Sequence, residues 1–325
     1  MTMTAASLLA PIGAQLDEFE RRLHECVHDD LGPMSEAMEH IVRAGGKRLR
    51  PALVILSCEL GEPASVDHVY SLALGLEFIH TATLVHDDLI DDAETRRGLA
   101  TIHAMLGTNP AIIVGDYYFA RGANLMASIG IPRIDEVISA TVMTICMGEL
   151  MQMVTKRDLF QSVETYDSKI ERKTAALLSA CTYCGGIVGW LDEPHREALR
   201  RYGALLGMAF QMADDLLDYV ATEAQLGKPV GADLRQGTVT LPLMYALDDP
   251  GTAGPLRAVL AREPLTDPDY AAVVALVRES NGVERTAVRA REFAERAKAE
   301  LAPFPESAAK ATLEALCGYV VERGI

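Results

Sequence analysis

The feature that most constrains this chain is a pair of acid clusters set in otherwise apolar helical segments. The first, Asp87-Asp88-Leu89-Ile90-Asp91-Asp92, ends a stretch in which Leu72, Leu74, Leu76, Phe78, Ile79, Ala82 and Leu84 recur at helical spacing, the pattern of a helix buried on most sides. If the helix persists through the cluster, Asp87 and Asp91 lie one turn apart on one face with Asp88 beside them. Alone, such a cluster reads equally as a solvated helix end or as a grip for hard divalent cations. Magnesium favours the second arrangement, taking a few carboxylate oxygens and sharing its other positions between water and substrate phosphates. The second cluster, Asp214-Asp215-Leu216-Leu217-Asp218, repeats the spacing on a separate apolar helical segment. Two such helices are predicted to face each other across a cavity and hold several cations between them.

That arrangement calls for helices throughout, and the composition agrees. Hydrophobic residues make up 49% and aromatics only 6%, so the buried material is aliphatic and helix-favouring rather than β-branched and aromatic. The reading is all-α, with further helices at roughly 15–29, 35–44, 51–60, 111–127, 135–155, 166–189, 194–221, 239–248, 268–279, 284–302 and 306–322, and no convincing strand. A length of 325 residues suggests two domains. The motifs at 45–51, 87–97 and 210–242 must meet in one cavity, however, so a single large helical bundle over residues 1–325 is expected. The connection from about 222 to 238 is long for a loop between helices, and loops of that length are more often functional. His28-Asp29-Asp30-Leu31 echoes His86-Asp87-Asp88-Leu89, but Gly32-Pro33 follows it, and it reads as a helix end.

Acidic residues number 46 against 30 basic ones, a net charge of −16, so nucleic acid is an unexpected partner. No uninterrupted apolar run reaches the ~18 residues that cross a bilayer, and the N-terminus lacks the basic start of a signal peptide. The expectation is a cytoplasmic protein without a transmembrane segment. Six scattered cysteines fit buried thiols in a reducing compartment; Cys181 and Cys184 alone have metal-ligand spacing and lack a second pair.

Cations complete the constellation. Gly45-Gly46-Lys47-Arg48-Leu49-Arg50-Pro51 places three of them on a glycine-initiated turn, which reads as an anion site or as a solvated basic loop. Arg96 and Arg97 follow the first cluster, Lys173 sits in Glu171-Arg172-Lys173-Thr174, and Lys228 lies in the long loop. With EFIHTATLVHDDLIDD at 77–92, RRG at 96–98, GD at 115–116, GELMQ at 148–152, KTA at 173–175, AFQMADDLLDY at 209–219, GKPVGADLRQG at 227–237 and TLP at 240–242, the chain resembles the trans-isoprenyl diphosphate synthases of the polyprenyl synthetase family over almost its whole length.

The resemblance implies an isoprenoid-synthase-type helical bundle with a central cavity. It also implies a homodimer that joins an allylic diphosphate head to tail with isopentenyl diphosphate, using about three magnesium ions. Asp87, Asp91 and Asp214 would hold the metals, while Asp88, Asp215 and Asp218 orient them. Arg96, Lys173 and Lys228 match contacts to the allylic diphosphate, and Lys47, Arg50, His80 and Arg97 match the metal-free isopentenyl diphosphate site. Gln211 and Phe210 match residues flanking the allylic cation, with Thr174 nearby. The cation forms as diphosphate leaves, the double bond of isopentenyl diphosphate attacks it, and a proton is lost to the departed diphosphate without a side-chain base. The chain departs from many relatives in having Thr238 where they carry a lysine.

Product length, on the same resemblance, follows bulk on the helix preceding the first cluster. Ala82 and Thr83 stand where short-chain enzymes place aromatic plugs, so blocking falls to Ile79 and Leu76, one turn of about 5.4 Å roughly matching one isoprene unit. Met143, Met147 and Met151 read either as an opposing tunnel wall or as plain core packing, and Tyr117-Tyr118-Phe119 as a ring able to close the tunnel early. A long-chain product of about C30 to C50 is expected on that turn-by-turn count. A short-chain synthase and a non-catalytic or partner-dependent subunit are the alternatives.

Overall fold

The computed structural model describes residues 5–27, 33–43, 45–96, 98–221, 230–262 and 264–322. Helices dominate them: α1 (Ala5–Leu8), α2 (Gly13–Val27), α3 (Pro33–Arg43), α4 (Leu49–Glu59), α5 (Val66–Ile90), α6 (Ile102–Leu106), α7 (Thr108–Ala127), α8 (Pro132–Val154), α9 (Val163–Ile170), α10 (Ala176–Val188), α11 (Glu193–Val220), α12 (Ala232–Arg235), α13 (Leu241–Asp248), α14 (Ala253–Leu260), α15 (Asp267–Glu279), α16 (Gly282–Ala299) and α17 (Ala308–Glu322). The expected all-α class is what the chain adopts. A two-residue hairpin, β1 (Thr95–Arg96) with β2 (Leu99–Ala100), is the strand pairing among the described residues. Two residues a side are too few for the alternation by which a strand is read from sequence.

The chain divides into two compact units. One comprises residues 1–141, 177–200 and 301–313, the other 142–176, 201–300 and 314–325. In the first unit α5 is buried on most sides, as its crowded apolar pattern predicts. It packs on α7 through glycines: a Cβ on Gly75 would lie 2.9 Å from the Gly122 carbonyl oxygen, and one on Gly122 would lie 2.6 Å from that of Gly75. Backbone therefore meets backbone, with the Met126 side chain laid over Gly75. Phe78 and Tyr118 pair beside this seam with ring centroids 5.5 Å apart, and the fully buried Tyr118 hydroxyl donates to the Met38 carbonyl at 2.9 Å.

In the second unit α13 is apolar all round and buried except at its end, and it packs against α16. Arg278 on α15 donates to the Tyr219 carbonyl at 2.5 Å, fastening the end of α11.

Helix α8 corrects two expectations. It is 23 residues long with a mean hydropathy of 1.5 over an 18-residue window, long and apolar enough by those measures to cross a membrane. Thr141, Thr144 and Gly148 interrupt a consecutive apolar count while leaving the average high. Only 22% of that window is buried, and Met143, Met147, Leu150, Met153 and Val154 are exposed. Met143 and Met147 thus serve neither as core nor as an internal wall of this chain. Cys146 on the same helix is exposed, whereas Cys58, Cys181, Cys184 and Cys317 are buried thiols. Burial pushes the Cys181 and Cys184 thiols well up, as befits packing residues.

Candidate active site

The first acid cluster ends α5. The Asp91 N–H donates to the Asp87 carbonyl at 2.9 Å, so the turn that stacks these two residues is intact, and Asp92 leaves it in the left-handed region at φ 50°. Asp87 and Asp91 are half-buried, whereas Asp88 is buried and accepts the Arg96 Nε–H at 2.7 Å. Burial pushes the Asp88 carboxyl up from its ordinary range and the Arg96 charge pulls it back. The hairpin sets Arg96 in place, and Gly98 makes its turn at φ 78°. Arg97 lies outside the described residues.

Sequence reasoning missed His86. Its ring fills the space a side chain at Gly115 would occupy, its Nε2 lies 3.2 Å from the Ile112 carbonyl, and it stacks on Phe119 at 5.8 Å. This gives the Gly115-Asp116 pair a physical meaning: the glycine is a notch that lets α7 hold the residue preceding Asp87.

Of the expected isopentenyl diphosphate residues, Lys47 is exposed ahead of α4, Arg50 is half-buried in its first turn, and His80 is half-buried on α5. Arg48 between the two cations turns inward, left-handed at φ 48°, to pair with Glu77 at 2.8 Å and with Glu20. One of the three cations of this turn is therefore internal. The signal was Glu77, a single acid within the apolar stretch that precedes the cluster on α5. Ala82 and Ile79 are buried, and the half-buried Thr83 donates its hydroxyl to the His80 carbonyl at 2.7 Å.

The second cluster is organised by a π-turn, Glu171–Ala175, inserted between α9 and α10 where the sequence predicts one continuous helix. Two glycines make room for it. A Cβ on Gly148 of α8 would lie 2.6 Å from the Lys173 nitrogen, and one on Gly207 of α11 would lie 2.5 Å from the Ala175 Cα. The turn carries Lys173, which pairs with Glu149, and Thr174, whose hydroxyl donates to Gln211 Oε1 at 2.8 Å. Gln211 Nε2 in turn donates to Asp215 Oδ1 at 2.8 Å, and the buried Tyr166 hydroxyl donates to Asp215 Oδ2 at 2.6 Å. Burial and the Asp233 charge push the Asp215 carboxyl up; the two donated bonds pull it back.

Asp218 is also buried, and accepts the N–H groups of Ala232 and Asp233 at 3.1 Å each; Asp214 is exposed. Lys169, 3% exposed, donates to Gln161 Oε1 at 3.3 Å, and Gln161 donates to the Val239 carbonyl at 2.7 Å. Tyr166 and Lys169 belong to no motif recognised in the sequence. Lys228 lies outside the described residues, as do residues 222–229 of the long loop as a whole.

Asp88, Asp215 and Asp218 thus accept bonds from the protein, while Asp87 and Asp91 stand one turn apart at the end of α5 and Asp214 stands on α11. Carboxylate oxygens suit hard divalent cations, although among the described residues no three His, Cys, Asp or Glu side chains gather closely enough to hold one. Comparison with known proteins finds relatives in both sequence and fold. The polyprenyl synthetase profile matches residues 32–277. Heptaprenyl diphosphate synthase component 2 of Geobacillus stearothermophilus is 38% identical, the alignment covering 99% of each chain. Octaprenyl diphosphate synthase of Escherichia coli is 36% identical over 92% of this chain and 93% of its own. A solved polyprenyl synthase from Caulobacter crescentus, complexed with calcium and isoprenyl diphosphate, superposes with a TM-score of 0.92 at 34% identity, over 99% of this chain and 98% of that one. On these grounds the chain belongs to the polyprenyl synthetase family, metal-dependent prenyltransferases that extend a prenyl chain from an allylic diphosphate with isopentenyl diphosphate.

Proposed function

We propose that this protein is a single-domain, magnesium-dependent synthase of a long all-trans polyprenyl diphosphate of about C30 to C50, the length set by helical turns of about 5.4 Å. The observation that carries the reading is the pair of acid clusters, one ending α5 and one on α11, in a chain whose relatives are named long-chain polyprenyl diphosphate synthases. Asp88, Asp215 and Asp218 accept bonds from Arg96, Tyr166, Gln211 and backbone N–H groups, the pattern of carboxylates that orient their neighbours. Asp87, Asp91 and Asp214 would hold about three magnesium ions, which when bound stabilise the negative charge that develops on the leaving diphosphate.

Arg96, Lys173 and Lys228 bind the allylic diphosphate, and Lys47, Arg50, His80 and Arg97 bind isopentenyl diphosphate through charge-assisted hydrogen bonds. Thr174 and Gln211 turn polar atoms toward the carbon that becomes cationic. Aliphatic walls exclude the water that would quench it. The buried Ala82 beside the small Thr83 supports a tunnel open at its first turn. Mass spectrometry of products from farnesyl and isopentenyl diphosphates tests the assignment, and a dominant C15 or C20 product overturns it.

The exposed apolar stripe of α8 supports a homodimer. One observation favours a second reading: the 38% identical relative is named as a component, so a partner subunit stands as the alternative. Turnover by the purified chain alone supports the first; activity only after adding a second prenyl-synthase subunit supports the second. Four buried, unbridged cysteines fit a cytoplasmic site of action.

A further inference from the structure

The hydrogen bonds around Asp215 have a direction. A carboxylate only accepts, so the Gln211 amide must turn its N–H toward Asp215, and its oxygen is left on the side where the Thr174 hydroxyl donates to it. Asp215 is held in that role by Tyr166, whose hydroxyl is fully buried and donates to the other carboxylate oxygen at 2.6 Å. Tyr166, Asp215, Gln211 and Thr174 form one line from α9 through α11 to the π-turn. We infer that Asp215, held in place by the Tyr166 hydroxyl, is a positioning residue that sets the Gln211 amide with its oxygen rather than its nitrogen facing the allylic carbon.

An amide oxygen stabilises a developing positive charge and an amide N–H opposes it, so the orientation bears on the transition state more than on substrate binding. Nothing in the residue types requires this outcome, since glutamine accepts either orientation. The direction is imposed by Asp215, which accepts at both oxygens, and the Tyr166 hydroxyl fixes where that carboxylate sits. This inference rests on the proposed function, because it assumes that Gln211 flanks the reacting allylic carbon.

The test reverses the direction of the line. In Asp215→Asn the Tyr166 hydroxyl still needs an acceptor in its buried site, so the new amide offers Tyr166 its oxygen and Gln211 its N–H, which flips Gln211. In the swap Asp215→Asn with Gln211→Glu every donor again meets an acceptor, and a carboxylate oxygen faces Thr174 and the reacting carbon. Elongation by the wild-type chain tests the function itself. Given that activity, the swap is expected to turn over at least about tenfold faster than Asp215→Asn, with the KM for isopentenyl diphosphate unchanged.

Tyr166→Phe is expected to lower kcat by about tenfold at constant KM and to raise the share of allylic substrate recovered as hydrolysed alcohol. A swap no faster than Asp215→Asn, or a Tyr166→Phe enzyme with full kcat, overturns the inference. Should Tyr166→Phe fail to fold, the swap, which retains Tyr166, decides.

Discussion

Lys169 carries its charge where charge is poorly tolerated. The residue is buried, and its ammonium donates a hydrogen bond at 3.3 Å to a neutral amide oxygen. Burial holds its pKa below the ordinary lysine value, with the Asp215 charge acting in the opposite sense. A folded-state pKa below the unfolded one means that the unfolded chain binds more protons between the two values. The charge therefore destabilises the fold below the folded pKa, and the penalty fades as pH rises toward the unfolded value. Lys169→Met, which fills similar volume without charge, is expected to stabilise the protein by about 1–2 kcal/mol at neutral pH, with the gain shrinking as pH rises toward the ordinary lysine value. Thermal melts across that range check it, and a variant that melts lower at pH 7 refutes it. The residue was invisible in the sequence because lysines on helices almost always face solvent. Tyr166 escaped for the converse reason: a lone tyrosine between apolar neighbours reads as core, and only its partner, Asp215, reveals its work.

The helices themselves were largely legible, since apolar spacing survives small errors at the ends, and the expected spans for α7, α8, α11 and α16 lie close to those observed. The π-turn was not. One extra residue barely disturbs the period of the helix around it, and the room for it comes from Gly148 and Gly207, each more than twenty residues away in sequence. Gly148→Ala and Gly207→Ala each drive a methyl group into backbone that cannot retreat. Each is expected to cost about 1–3 kcal/mol in stability. Each should also lower kcat more than the stability loss explains, because Lys173 and Thr174 ride on the displaced turn; a melt combined with steady-state kinetics separates the two effects. On α5 the expectation concerns product. Thr83→Phe places a ring about one turn before Asp87 and should shorten the dominant product by several isoprene units in a mass spectrum. An unchanged distribution would mean that the tunnel does not pass this face.

At the scale of the whole chain, the acid excess was readable at once, but its meaning depended on place. Of the six aspartates proposed to act, three accept bonds from protein donors, so much of the apparent repulsion is absorbed locally. The outward face of α8 was misread, because methionines at four-residue spacing look alike whether they line a core, a tunnel or another molecule. Met147→Glu places a charge on that stripe and is expected to shift the species seen by size-exclusion chromatography with light scattering from dimer to monomer. A homodimer unaffected by this change must use another surface. The same stripe has a thermodynamic consequence. If folded chains associate through it and unfolded chains do not, mass action ties the melting temperature to the amount of protein in the tube. Two laboratories working at nanomolar and micromolar concentrations would then report different stabilities for one sequence, and both would be right.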